Sequence, residues 1–205
     1  MNNHKEEQLL KQMIEILVQE SGETVSVEGK PLEELKPLWR GLVNVRQPKE
    51  APADYVALEN EYLKEYHSPR VQTCEDCVPT ANEQIKLYYG DLCELQVDAI
   101  VNAANSEMLG CFIPNHRCID NAIHTFSGIE LRSHHLMEQQ GKKEPVGKAK
   151  ITPAFNLPSK YIIHTVGPFL PPGQKVTPFR EQLLAGCYKS CLEAAREANL
   201  TSIAF

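Results

Sequence analysis

The chain has 205 residues, of which 42% are hydrophobic and 23% are charged, the balance of an ordinary soluble protein rather than a disordered or fibrous one. Its 21 basic and 27 acidic residues leave a net charge of −6, so the whole-chain field repels phosphate backbones. No apolar run approaches the roughly 20 residues that cross a bilayer, and the N-terminus lacks the apolar core of a signal peptide. These features exclude nucleic-acid and membrane partners and predict a cytoplasmic protein.

The first seventy residues predict a helical appendage. Apolar residues recur at three- and four-residue spacing over residues 6–19, which indicates a helix with one apolar stripe that needs a partner. Two further helices are predicted over residues 38–45 and 55–66, after an irregular stretch that contains Pro31 and Pro37.

Strands and helices alternate in the second half of the chain. The predicted strands are residues 85–89, 99–103, 149–155, 161–166 and 202–205, and the predicted helices are 119–126, 128–140 and 179–198. This alternation predicts a layered α/β domain with a largely buried sheet. We therefore divide the chain into a helical N-terminal extension (1–70), a connector (71–84) and an α/β domain (85–205). The last predicted strand is apolar and no element follows to cover it, so we expect the sequence to be truncated there.

Cysteines and a histidine gather in the loop after the predicted strand 99–103. The chain has seven cysteines, an odd count that favours thiols or metal ligands over a disulfide framework. Cys111, His116 and Cys118 fall within eight positions, and two thiolates with one imidazole suit zinc. Three protein ligands leave a fourth position open, as catalytic zinc sites do. The alternative is that both cysteines are small core residues and His116 is a loop residue.

Two aspartates are further candidates for chemistry. Asp120 lies close to the start of the predicted helix 119–126, where helix amides attract both a carboxylate and a phosphate; helix capping is its alternative role. Asp91 follows the predicted strand 85–89 and is placed either to accept from an exocyclic amine or to close a turn. Asn102 and Asn105 enclose a run of small residues that lets a ligand approach the backbone closely.

The remaining histidines and cysteines point less clearly to chemistry. We expect His124 and His164 to be core histidines, and His134 and His135 to lie on a solvated helix surface. Cys74-x-x-Cys77 lies in the connector rather than at the start of a helix, where redox pairs of this kind are usually found.

Four segments, in this order, resemble motifs of the macrodomain family, whose members bind ADP-ribose. They are Gly90-Asp91-Leu92, similar to an adenine-binding turn; Asp98 to Asn105, similar to the signature strand and loop; Ile119 to His124, similar to a helix start; and Tyr161 to Pro168, similar to a later strand. The resemblance covers residues 85–205. It implies a three-layer α/β/α macrodomain with a mixed, largely buried sheet, preceded by the helical extension.

The loop with Cys111, His116 and Cys118 stands where ordinary macrodomains have a string of glycines, and it resembles the zinc-dependent branch of the family. Members of that bacterial branch carry a helical extension and are protein-ADP-ribose hydrolases. The resemblance therefore implies one Zn²⁺ per chain, mono-ADP-ribosylated protein as the substrate, and a sirtuin-like ADP-ribosyltransferase as the opposing enzyme. It also implies a second glycine-bearing loop after the last strand, beyond Phe205, so we expect the truncation to affect ADP-ribose binding and catalysis.

The same resemblance implies a role for each site residue. Asp91 would accept from adenine, amides around Leu92 and Ile119 would bind adenosine and phosphate, Asn105 would orient the distal ribose, and Asp120 would be the general base. The predicted ligand-binding residues are Asp91, Leu92, Asn102, Asn105, Cys118, Ile119 and Asp120; the catalytic ones are Asn105 and Asp120; the zinc ligands are Cys111, His116 and Cys118.

Two other functions stay open at this point. One is a binding module that holds ADP-ribose without cleaving it, with zinc serving only to shape the loop. The other is an interaction protein with a structural zinc, in which the appendage supplies a fourth ligand.

Overall fold

The computed structural model describes residues 1–139 and 141–205. Within them the helices are α1 (Asn3–Ser21), α2 (Leu32–Val45), α3 (Ala53–His67), α4 (Ile119–Ser127), α5 (Ile129–Gln139) and α6 (Pro178–Glu197). The strands are β1 (Val78–Pro79), β2 (Lys86–Leu87), β3 (Ala99–Ala104), β4 (Ala149–Pro153), β5 (Tyr161–Val166) and β6 (Ile203–Ala204). Each predicted element has a counterpart here, although the last residue of the predicted helix 128–140, Gln140, lies outside the described residues.

Four strands form a mixed sheet in the order β4-β5-β3-β6. Strand β3 runs parallel to both β5 and β6, whereas β4 pairs antiparallel with β5 at one edge. The parallel pairs need crossover connections, which α4 and α5 provide on one side and α6 on the other.

Alternate residues of the central strands face opposite helical layers. Ile100 packs in one core with Ile123 of α4, whereas Ala99 and Ile163 pack with Cys191 of α6. A sheet covered on both faces explains why its strands appear as continuous apolar runs in the sequence. The arrangement confirms the predicted three-layer α/β/α fold with a mixed, largely buried sheet.

The helical extension packs on the layer formed by α4 and α5. Its buried apolar residues join those of the α/β part in one continuous core. Arg132 of α5 donates from Nη1 to the carbonyls of Val43, Asn44 and Arg46 at 3.3, 3.0 and 2.7 Å. These carbonyls lie at the end of α2, where a helix leaves its acceptors without partners. A buried guanidinium therefore ties the extension to the α/β part.

Glu59 of α3 makes a second polar contact between the extension and α5. Its Oε2 accepts from the backbone N–H of Ile129 at 2.8 Å, and its Oε1 accepts from the hydroxyl of Tyr55 at 3.0 Å. Burial raises the pKa of Glu59 to about 7. This carboxyl group thus satisfies an amide at the start of α5, as an N-cap residue would.

Two predicted elements differ in extent or setting. Helix α2 begins at Leu32 rather than at residue 38 and contains Pro37, so this proline does not mark the boundary that we expected. Only Lys86 and Leu87 of the predicted strand 85–89 are in a strand; they pair with β1 in an exposed hairpin outside the main sheet. Alternating hydrophobicity indicates an extended backbone, but it does not say which surface covers it.

No helix in the described part of the chain is both long enough and apolar enough to span a membrane.

Candidate active site

The predicted zinc ligands converge at the start of α4. The donor atoms of Cys111, His116 and Cys118, here called the loop trio, all lie within 4.8 Å of one another, and Cys111 Sγ is 3.6 Å from His116 Nδ1. Cys118 is the N-cap of α4, and its Sγ accepts from the backbone N–H of Asn121 at 3.4 Å. Burial raises the pKa of the Cys118 thiol, and the hydrogen bond from Asn121 opposes that shift. Two sulfurs and one ring nitrogen at this spacing fit the donor set that zinc prefers.

Helix α2 holds this loop in place. Arg40 donates from Nη2 to the carbonyl of His116 at 3.3 Å and to Asn121 Oδ1 at 2.8 Å. Asn44 Oδ1 accepts from the backbone N–H of Asn115 at 2.9 Å. No local pattern predicts these contacts, because they join residues more than seventy positions apart and follow no spacing rule.

Asp120 occupies the first turn of α4 and is only 6% exposed. Its Oδ1 accepts from Asn102 Nδ2 at 2.8 Å. Burial raises the pKa of this carboxyl group, and the hydrogen bond from Asn102 opposes that shift. A carboxylate whose proton affinity is raised above its ordinary value is better suited to act as a general base near neutral pH.

Asn102, one of the predicted ligand-binding residues, lies in the core. The side chain is fully buried in β3 and contacts Asp120 and His164. Even-numbered positions of β3 face the α4 layer, which accounts for the burial of this amide.

Asn105 and Gly110 shape the turn between β3 and the loop trio. Asn105 Nδ2 donates to the carbonyl of Gly110 at 2.9 Å, while its buried Oδ1 has no partner among the described residues. Gly110 has φ +80°, and a Cβ there would lie 2.6 Å from His124 Cγ. Only glycine fits both the left-handed backbone and the close approach to the ring.

The predicted adenine turn lies beside α4. Asp91 is exposed and its Oδ1 accepts from the backbone N–H of Cys93 at 2.9 Å, so the side chain does close a turn. The following turn, Leu92–Glu94, contacts α4. Leu92 and Ile119 both pack, partly buried, against the large core, which leaves their backbone amides as the groups that could meet a ligand.

A second cluster lies directly below the loop. The ring nitrogens of His124, His135 and His164, here called the histidine trio, also lie within 4.8 Å of one another, and all three residues are buried. Burial lowers the pKa of each, that of His135 to about 4. The prediction that His124 and His164 are core histidines is confirmed. The prediction that His135 lies on a solvated surface is wrong, because this face of α5 packs on the sheet.

The fold and the site together define a class of protein: a three-layer α/β domain with ligand donors and a buried carboxylate at the carboxyl end of a central parallel strand, where such sheets bind their ligands. The model of the Macro domain family matches residues 101–205, and the chain belongs to this family.

Curated relatives and a solved structure extend the match. The chain is 44% identical over 183 residues to a protein-ADP-ribose hydrolase of Staphylococcus aureus (strain MRSA252), which covers 88% of this chain and 68% of the relative. It is 45% identical over 179 residues to a protein-ADP-ribose hydrolase of Treponema medium, with 84% and 68% covered. It is also similar to the crystal structure of a Trypanosoma brucei macrodomain in complex with ADP, at 28% identity and a TM-score of 0.54 over 82% of this chain and 72% of that one.

Proposed function

We propose that this chain removes mono-ADP-ribose from modified side chains of proteins. One observation carries the proposal: the loop trio and the buried Asp120 lie together at the start of α4, in a chain 44% identical to a relative named protein-ADP-ribose hydrolase. The proposal includes a cytoplasmic location and a sirtuin-like ADP-ribosyltransferase that attaches the group removed here.

We propose that Cys111, His116 and Cys118 hold one Zn²⁺. Their donor atoms lie within 4.8 Å of one another, and the set of two sulfurs and one nitrogen favours zinc over calcium or magnesium. When bound, the ion supplies a Lewis acid that can polarise an oxygen or lower the pKa of a coordinated water toward about 7.

Each of the residues around the loop trio then binds a different part of ADP-ribose. Asp91 has one carboxylate oxygen committed to Cys93, and the other accepts from the adenine amine. The backbone amides at Leu92 and Ile119 bind adenosine and phosphate, since the first amides of α4 have no partner within the helix. Asn105 Oδ1, which has no partner within the described chain, accepts from a hydroxyl of the distal ribose.

Asp120 acts as the general base in this proposal. Because Asn102 occupies its Oδ1, the other oxygen takes the proton from water or from a ribose hydroxyl. Proton transfer of this kind typically contributes about 10² to 10⁴ in rate.

Release of ADP-ribose from a mono-ADP-ribosylated protein tests the proposal. Asp120→Ala should lower kcat by about 10² to 10⁴ and should still bind ADP-ribose. Asp54→Ala is a matched control, because Asp54 also lies in the first turn of a helix but belongs to the extension. Unchanged turnover in Asp120→Ala would remove this residue from the mechanism.

Two measurements, release of ADP-ribose and calorimetry with free ADP-ribose, separate the two rival functions. A wild-type chain that binds ADP-ribose without releasing any from the modified protein is a binding module. A chain that gives no heat with ADP-ribose in calorimetry is an interaction protein.

A further inference from the structure

A buried polar layer lies behind Asp120, between the sheet and helices α4 and α5. Asn102 of β3 and His164 of β5 are register partners in the parallel pair, and both side chains are fully buried. Asn102 Nδ2 lies 2.8 Å from Asp120 Oδ1 and 3.1 Å from His164 Nδ1. One amide nitrogen therefore bridges the carboxylate and the imidazole.

The direction of these hydrogen bonds follows from the carboxylate. An ionised carboxylate only accepts, so the amide of Asn102 must turn its nitrogen, with two N–H groups, toward Asp120. The second N–H then points at His164 Nδ1, which must accept. Because a neutral imidazole carries one proton, the proton of His164 lies on Nε2.

The other end of the imidazole finds acceptors for that proton. His164 Nε2 lies 2.9 Å from Thr152 Oγ1 and 3.2 Å from His135 Nε2. Burial lowers the pKa of His164, which keeps the ring neutral and preserves the acceptor at Nδ1. The ring is thus held at both nitrogens.

We propose that His164 and Asn102 are positioning residues for the reaction: His164 fixes the rotation of the Asn102 amide, and that amide fixes the orientation of the Asp120 carboxylate. This inference rests on the proposed function. It predicts that the bond at His164 Nδ1 matters for catalysis more than the contacts at Nε2.

Two substitutions of His164 separate these contacts. In His164→Asn the side-chain oxygen can stand near the position of Nδ1 and accept from Asn102, whereas in His164→Gln the polar end stands near Nε2, toward Thr152. We expect His164→Asn to keep kcat within about threefold, and His164→Gln to lower it by on the order of 10², the effect of a misplaced reacting group. KM should change little in either variant, because neither group touches the substrate.

The change in kcat of the two His164 variants must be separated from any loss of stability. Both variants lose one of the two ends of the ring and should be destabilised to a similar degree, as thermal unfolding will show. If kcat falls equally in both, or falls in proportion to the loss of stability, His164 is merely a core residue and the inference is overturned.

Nitrogen NMR of the wild-type chain tests the hydrogen-bond direction without any assay of activity. We expect the His164 tautomer with a proton on Nε2 and a bare Nδ1; a proton on Nδ1 overturns the inference. A chain that releases no ADP-ribose contradicts the proposed function, and the NMR spectrum then decides the orientation of Asn102 by itself.

Metal analysis tests whether the histidine trio binds a metal instead of making these hydrogen bonds. The histidine trio also brings three donors together, and a metal bound there would replace the hydrogen bonds at His164 Nε2. We expect Cys118→Ser to hold no zinc. One equivalent retained in Cys118→Ser and lost on adding His135→Gln would make the histidines ligands and overturn the inference.

Discussion

The loop trio and the histidine trio each bring three donor atoms within 4.8 Å of one another, and both are anchored on α4, the first through Cys118 and the second through His124. They differ in their surroundings. The loop trio lies in a partly exposed loop and contains two thiols, whereas all three members of the histidine trio are buried. At least two of those rings are held by hydrogen bonds within the core. Similar spacing of donors therefore occurs in two different settings, a partly exposed loop with thiols, for which we propose a metal, and a buried polar core of hydrogen-bonded rings.

The largest expected effect comes from removing one thiol of the loop trio. Cys118→Ser should lose zinc and lower the rate of ADP-ribose release by at least about 100-fold, since even partners outside the ligand set commonly change metal affinity or activity by 10- to 100-fold. Zinc content and turnover, measured on one preparation, check this. Cys77→Ser is the control, because Cys77 is also partly buried but lies outside the loop trio. Full activity in zinc-free Cys118→Ser would contradict a catalytic role for the metal.

Gly110 connects the two clusters, and its substitution should disturb both. In Gly110→Ala the left-handed backbone costs about 1–2 kcal/mol, and the new Cβ would meet the buried His124 ring at 2.6 Å. Overpacking of a buried site adds typically 1–3 kcal/mol. We therefore expect a loss of roughly 2–5 kcal/mol in the free energy of unfolding, measured by denaturant titration.

Gly173→Ala isolates the backbone cost in that comparison. Gly173 has φ +79°, close to that of Gly110, but a Cβ there would meet no atom within 4 Å. Equal losses of stability in Gly110→Ala and Gly173→Ala would contradict the close contact between Gly110 and the His124 ring.

Lowering the pH should reduce the free energy of unfolding, because the histidine trio is buried. An exposed histidine would have no such effect in this pH range. Burial lowers the pKa of His135 from 6.5 to about 4, so the unfolded chain binds more protons than the folded one between these values. The contribution of His135 is complete above pH 6.5 and is lost as the pH falls toward 4, by up to roughly 3 kcal/mol. Urea titrations across this range should show the loss.

Replacing His135 shows how much of that loss of stability this residue causes. His135→Gln should make the pH dependence less steep, whereas the buried His124 and His164, whose pKa values burial also lowers, should retain the rest of it. Glu59 acts in the opposite direction, because its pKa is raised to about 7 and its protonation favours the folded chain as the pH falls. The difference between wild type and His135→Gln, rather than the wild-type curve alone, therefore measures His135. Identical slopes would contradict its burial in the neutral form.

Local patterns explain which features the sequence could predict. The apolar runs of β3 and β5 are local, and the resulting sheet agrees with the expectation. The spacing of Cys111, His116 and Cys118 is also local, and their donor atoms do converge, whereas zinc stays a prediction. His135 was misplaced because a pair of polar residues on a helix looks solvated until the strand residue that faces it, His164, is known to lie opposite. The burial of Asn102 could not be predicted for the same reason, since it depends on the α4 layer that covers β3.

No local pattern in the sequence predicts the contacts of α2 with the loop trio. Removing one of them should have the smallest effect of the changes proposed here. Arg40→Ala removes the bonds to the His116 carbonyl and to Asn121, groups adjacent to the metal ligands rather than ligands themselves. Partners of this kind are worth 10- to 100-fold in metal affinity, and we expect the lower figure, about tenfold weaker zinc binding in competition with a chelator. Lys36→Ala on the same helix is the control, because Lys36 pairs with Glu6 of α1 at 2.8 Å and does not hold the loop. Equal zinc affinity in both variants would show that the loop trio keeps its geometry without the Arg40 hydrogen bonds, with Asn44 still bound to the backbone of Asn115.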